Sequence, residues 1–162
     1  MNDDLERRLN EAIERGQRRN ELHRFAEKRQ QLSEEELRRL HTEYRLSLSE
    51  HVEQAISKLA NHFPGFRTET LYGEQGWGAA CWRDNLRLEE GRRTNLFSRV
   101  ELVIRPVNEY WVLELKGKAT VANKEVFNRS LFEQLQEVDL ERFTRAIDSW
   151  VVEYAELYTA QG

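Results

Sequence analysis

The sequence predicts an α+β fold in which long N-terminal helices and a C-terminal helix flank an antiparallel meander of four or five strands. Three patterns support this prediction: a helical apolar repeat over residues 33–63, alternation of apolar and polar residues over 66–121, and a second helical repeat over 139–158. Recurrence every three or four positions indicates an amphipathic helix, whereas alternation indicates a half-covered strand. We therefore expect the last helix to pack with the long helix on one face of the sheet.

Residues 33–63 form the most regular of these patterns. Ser33 and Glu36 have the spacing of a capping box, in which the two side chains satisfy free backbone N–H groups at a helix start. Pro64 cannot continue a helix, so the helix is expected to end near Phe63. Its apolar positions repeat at 11 residues, as in Leu37, Leu48 and Leu59. That repeat favours a nearly straight helix lying on the chain's own sheet over a heptad coiled coil.

Three histidines, His41, His51 and His62, lie within or beside the apolar stripe of this helix. A functional interpretation is a pH switch or a ligand contact, because histidine titrates near neutral pH. The alternative is that each is a partly buried residue at the edge of the packed face. Their spacing argues against a shared metal ion, because neighbouring histidines are about 15 Å apart along the helix axis, whereas ligands lie within about 2 Å of a metal.

Residues 1–32 are predicted to form a helical N-terminal arm, and residues 33–162 a single α+β domain. The arm contains two short apolar stripes separated by residues 14–21, which include no large apolar residue. A helix of this kind buries too little apolar surface to be stable alone. Two interpretations stay open, an arm that docks on a second copy or a partner, and a frayed helical tail.

Four strands are expected at residues 66–72, 77–88, 97–107 and 111–121, with a polar turn at 89–95. Residues 123–137 fit either a short fifth strand or a helical turn. Pairing Glu101 with Lys116 sets opposite charges across neighbouring strands and predicts their register. Gly117 is expected to mark a bend, a bulge or the close approach of a helix.

Composition excludes several classes of protein. The net charge of −4 argues against nucleic-acid binding, and no apolar run is long enough to span a membrane. The single cysteine, Cys81, cannot form an internal disulfide, and the first ten residues lack the apolar core of a signal peptide. A cytoplasmic location is therefore expected.

No catalytic motif, metal-ligand spacing or phosphate-binding loop occurs in the sequence, so no catalytic residue, metal ligand or cofactor is predicted. Aromatic residues crowd the strand region, where they could fill a core or line a pocket. Paired arginines on the polar turn could bind an anion. The weak candidates for binding a ligand or partner are Trp77, Trp82, Trp111, His51, Arg92 and Arg93.

Two functions are compatible with these features. The favoured one is a non-enzymatic protein-interaction or adaptor module that acts as a homodimer or with a protein partner. The alternative is a small-molecule-binding or enzymatic α+β domain, with an aromatic-lined pocket between sheet and helices near Trp77, Trp82, Trp111 and His51. Enzymatic activity stays open, because catalytic groups converge in space rather than in sequence.

Overall fold

A computed structural model describes the backbone of residues 2–161 and the side chains of residues 3–27 and 34–161. The described chain contains a long helix, five strands, a turn of 3₁₀ helix and a last helix, and it confirms the predicted α+β fold. The helices are α1 (Asn2–His62) and α2 (Leu140–Ala160), and the 3₁₀ turn is Leu135–Glu137. The strands are β1 (Arg67–Leu71), β2 (Trp77–Glu89), β3 (Arg92–Ile104), β4 (Val112–Val121) and β5 (Lys124–Gln134).

The chain divides into two compact units, residues 1–39 and 40–162. The predicted boundary between residues 32 and 33 stays a prediction. Helical backbone continues through residue 33, so the helix start expected there is wrong. The preceding residues, AEKRQQL, are mostly strong helix formers and continue the helix across the Ser33 signal. The capping contact of Ser33 lies outside the described side chains.

The five strands form one antiparallel meander in the order β1-β2-β3-β4-β5. The β4–β5 hairpin turns through Ala122 and Asn123, both with positive φ (48° and 72°), as a two-residue turn matched to strand twist requires. The Asn123 side chain fixes this turn to β3, since it accepts from the Phe97 N–H at 2.9 Å and donates to the Asn95 carbonyl at 2.8 Å. Residues 124–134 are therefore a fifth strand, one of the two predicted alternatives.

Strand β3 begins five residues earlier than expected. The polar turn predicted over residues 89–95 is only two residues long, Glu90 and Gly91, with φ of 52° and 77°. Arg92 and Arg93 consequently lie in a strand, where they pair with Glu89 and Leu88 of β2.

The predicted β3–β4 register is wrong by two residues, because Glu101 lies opposite Lys118 rather than Lys116. Both registers pair a glutamate with a lysine, so the charge criterion could not separate them. Strand β4 also begins one residue later than predicted, at Val112. Trp111 has a φ of 54° and its N–H donates to the Asn108 carbonyl, so it belongs to the turn.

One face of the sheet carries the core of the unit formed by residues 40–162. Strand residues that alternate along β3 and β4 are fully buried there: Val100, Leu102, Ile104, Leu113 and Leu115. Helix α1 contributes Leu48, Val52 and Ile56, and α2 contributes Phe143, Ile147 and Tyr154. The Tyr154 hydroxyl donates to the Thr120 carbonyl at 2.8 Å, which ties α2 to β4. Asp139 caps α2 by accepting from the backbone N–H groups of Glu141 and Arg142.

Candidate functional site

The predicted tryptophans Trp77 and Trp82 lie on opposite faces of strand β2, because they are five residues apart. Trp77 is half-buried opposite Ile104 on the core face, and the Arg45 guanidinium from α1 lies 4.1 Å from its ring centroid. Trp82 lies opposite Arg99 on the other face, and its ring centroid is 5.6 Å from the Arg99 guanidinium. The sheet therefore separates two of the side chains that the pocket hypothesis places together.

The other four predicted residues are also dispersed. Trp111 is half-buried in the turn before β4, and its carbonyl accepts from the Leu135 N–H at 3.0 Å. His51 lies on the surface between the helices, where its Nε2 is 2.8 Å from a carboxylate oxygen of Asp148. Arg92 and Arg93 are exposed at the β2–β3 hairpin. The structure thus places the six candidates on both sheet faces, on a hairpin, in a turn and between the helices.

His41 is a buried structural group. Its Nε2–H faces the Arg105 carbonyl oxygen at 3.0 Å. Burial lowers the pKa of His41, the hydrogen bond to the carbonyl opposes this shift, and the Arg45 guanidinium adds to it. The ring is therefore held neutral, as a hydrogen-bond donor that joins α1 to the end of β3.

Cys81 is buried on the core face of β2. Burial raises the pKa of its thiol to about 12, while the Arg99 charge acts in the opposite direction. The thiolate is the reactive form of cysteine, so this thiol is unreactive at neutral pH. It packs as a small apolar side chain.

The residues that the structure describes include no group of three or more His, Cys, Asp or Glu side chains arranged to hold a metal ion. No helix within residues 2–161 has both the length and the hydropathy needed to cross a membrane.

A stripe of exposed apolar side chains runs along the first turns of α1. Leu5, Leu9 and Ile13 have 60%, 52% and 57% of their surface exposed. Their i, i+4, i+8 spacing places them within an arc of about 80° at 100° per residue. We call these three residues the arm stripe. Isolated exposed leucines are common, but a continuous row of them on one helix face is typical of an interaction surface.

Charged residues border the arm stripe asymmetrically. In helical projection, one border of the stripe carries Arg8 and Arg15, and the other carries Glu6. All three side chains are exposed. A second pair of exposed apolar residues, Leu22 and Phe25, lies on a different face of the same helix. The arm therefore offers one apolar row with a basic border, the pattern of a helix that docks in a groove.

A second apolar surface lies in the other unit, between the C-terminal part of α1 and α2. It is an open groove of about 660 Å³, which we call the helix groove. From α1 and the residue after it, Ala55, Lys58, Leu59, His62 and Phe63 line the groove, and from α2, Asp148, Val151, Val152 and Ala155. Val152 is the exposed large apolar residue at its edge, with 67% of its surface accessible.

The sequence prediction missed the helix groove. The sequence feature that could have indicated the groove is Val152. This apolar residue lies on the side of α2 opposite the packed stripe of Phe143, Ile147 and Trp150. The arm stripe, in contrast, was recognisable from its spacing. The sequence could not predict that the arm stripe is exposed, because a helical repeat does not show which residues, if any, cover it.

Comparison of the chain with models of protein families, with curated proteins and with solved structures finds no match.

Proposed function

We propose that this chain is a non-enzymatic protein-interaction module whose N-terminal helical arm docks on another polypeptide chain, either a second copy or a protein partner. The single observation that carries the proposal is the exposure of the arm stripe, Leu5, Leu9 and Ile13. A cytoplasmic location belongs to the same proposal, because the chain's one cysteine is kept as a free, buried thiol.

The energetics of the arm support docking. Transfer of a leucine or isoleucine side chain from water into a packed interface contributes about 1.5–3 kcal/mol. A polar helix of this kind gains little stability from its own hydrogen bonds, so burial of the stripe against a partner would stabilise both the contact and the helix. The arginine border would favour a partner with acidic residues beside its apolar surface, and would fix the direction of docking.

The buried titratable groups also favour a non-enzymatic role. The neutral His41 and the protonated Cys81 thiol are both held inside the packed unit. Neither has the accessible, activated setting of a general base or a nucleophile.

Replacing Leu9 and Ile13 with glutamine is expected to release the chain from its assembly, because the apolar contact is lost while helix propensity changes little. The measurement is native size-exclusion chromatography of extracts from cells that produce the full-length chain. The unmodified chain should elute above its 19.3 kDa monomer mass, and the double variant should move to a smaller species.

The matched control replaces Glu11 and Glu14 with glutamine, on the opposite face of the arm. This control should elute with the unmodified chain. Elution of all three proteins at the monomer mass, or of both variants with the unmodified assembly, would contradict the proposal.

A further inference from the structure

We infer that strand β1 and the groove beside it bind an extended segment of a partner protein, which adds to the sheet as a sixth strand antiparallel to β1. The inference goes beyond the proposed function, because it concerns an edge of the sheet in the unit formed by residues 40–162 and does not involve the arm. It specifies the partner by its backbone conformation and by the chemistry of its side chains.

The backbone of β1 provides the first argument. All five residues of the strand, Arg67 to Leu71, pair with β2, and β1 is the first strand in the sheet order. On its other side, no backbone hydrogen bond links its N–H and carbonyl groups to another part of the described chain. Such a row of donors and acceptors is complementary to an extended backbone. An added strand of five residues would form about four to six hydrogen bonds with it.

A groove beside β1 provides the space for that backbone. It lies between β1 and α1 and has a volume of about 550 Å³. Two buried residues, Ile56 and Ala79, form its floor. Thr68 and Thr70 line it from β1 and are exposed, although their partners in β2, Cys81 and Ala79, are buried on the core face. The cover over the core face therefore ends at β2 and leaves β1 open.

The two edges of the sheet differ in their protection against a further strand. At the β5 edge, the register with β4 shifts between Ala119 and Thr120, and an irregularity of this kind hinders the pairing of another strand. Strand β1 pairs with β2 without a shift, and it includes no lysine or proline. The β1 edge is therefore the more receptive of the two, over a length of about 17 Å.

The side chains around this edge specify the partner segment. On the groove side, two threonines and the apolar floor favour β-branched or small apolar residues. On the outer face, the Glu69 carboxylate is engaged, since it lies 2.9 Å from the Arg99 guanidinium. The exposed Arg67 forms no salt bridge with the side chains that the structure describes. We therefore expect a segment that alternates apolar and polar residues and carries an acidic residue opposite Arg67.

Selection of random nine-residue peptides displayed on phage, with the purified full-length chain as the target, tests this site. Selected sequences should alternate apolar and polar residues and contain an acidic residue. A synthetic peptide of the most frequent sequence should bind in fluorescence anisotropy titrations extending to about 1 mM. On binding, amide hydrogen exchange should slow at alternate residues of β1, whose N–H groups gain partners.

Replacing Ser57 with tryptophan is designed to fill the groove from α1. Ser57 lines the groove and is exposed, so the substitution should leave the fold intact and weaken peptide binding at least about tenfold. The matched control is Ser47→Trp, at an exposed position of the same helix, about 15 Å away along its axis. This control should bind the peptide as tightly as the unmodified chain, and circular dichroism verifies the fold of each variant.

A charge reversal tests the predicted pairing with Arg67. In Arg67→Glu, the acidic peptide should bind about threefold more weakly or worse, and a peptide with lysine at the acidic position should bind more tightly than it binds to the unmodified chain. Arg92→Glu makes the same charge change at an exposed residue of the β2–β3 hairpin. Both peptides should bind this control as they bind the unmodified chain.

Several results would overturn the inference: no enriched peptide, equal binding by Ser57→Trp and the unmodified chain, or an unchanged charge preference in Arg67→Glu. A dimer of the purified chain that Ser57→Trp dissociates would also overturn it, since the edge would then belong to a second copy. The Leu9→Gln, Ile13→Gln variant should bind the peptide like the unmodified chain. Failure at the β1 edge therefore leaves the docking of the arm to its own test.

Discussion

Replacing Gly78 with alanine is expected to lower the free energy of unfolding by about 3 kcal/mol or more. A Cβ atom at this position would lie inside contact distance of the Leu102 carbonyl oxygen and 2.9 Å from the Val103 Cα. These are backbone atoms of the neighbouring strand, which cannot rotate away as a side chain can. Strands β2 and β3 would have to separate where their pairing is longest, along two strands of 13 residues each.

Chemical denaturation followed by tryptophan fluorescence measures this change, because all four tryptophans lie between residues 77 and 150. Gly91→Asn is the matched control. Nothing lies within 4 Å of a Cβ at Gly91, and asparagine tolerates its positive φ. Equal denaturation midpoints for the Gly78 variant and the unmodified chain would refute the close approach of the two strands.

Replacing Gly117 with alanine is expected to destabilise the fold by about 1–3 kcal/mol. The added Cβ would lie 2.7 and 2.9 Å from two ring carbons of Trp150 on α2. The ring has little room to move, because Phe127 packs beside it with ring centroids 6.4 Å apart. The absence of a side chain at residue 117 therefore determines how closely α2 lies on strand β4.

A double-mutant cycle isolates this contact. In a Trp150→Leu background the large ring is gone, so Gly117→Ala should cost at least about 1 kcal/mol less than in the unmodified chain. The free energies of unfolding of the four proteins provide the comparison. Equal costs in both backgrounds would show that the glycine is required for a reason other than the Trp150 ring.

Local sequence patterns predicted most of the secondary structure. The alternation along β2 to β4 and the apolar repeat of α2 identified these elements, since burial on one face imposes a fixed period, although β3 begins five residues earlier than predicted. The β2–β3 turn was placed over too many residues, because Glu90-Gly91 lacks the stronger Asn-Gly or Asp-Gly signal. The register was misassigned because Lys116 and Lys118 are both on the same face.

The candidate site was less predictable than the fold. The separation of Trp77 from Trp82 could have been derived from their odd spacing in one strand. The helix groove could not, because it depends on how two helices 80 residues or more apart in sequence pack together. The arm stripe is partly predictable, since its spacing is visible in the sequence but its exposure is visible only in the structure.

The exposed arm stripe and the helix groove are two apolar surfaces, one in each compact unit. The arm stripe has a basic border on one side, which favours an acidic partner surface.

The measurement that tests the central claim most directly is photo-crosslinking from the arm of the full-length chain in the cells that produce it. A photoreactive amino acid at position 9 lies on the arm stripe, and one at position 11 lies on the opposite face. The account predicts a defined protein adduct from position 9 and none from position 11, and the mass of that adduct identifies a second copy or another protein. Equal labelling from the two positions, or no adduct from position 9, would contradict it.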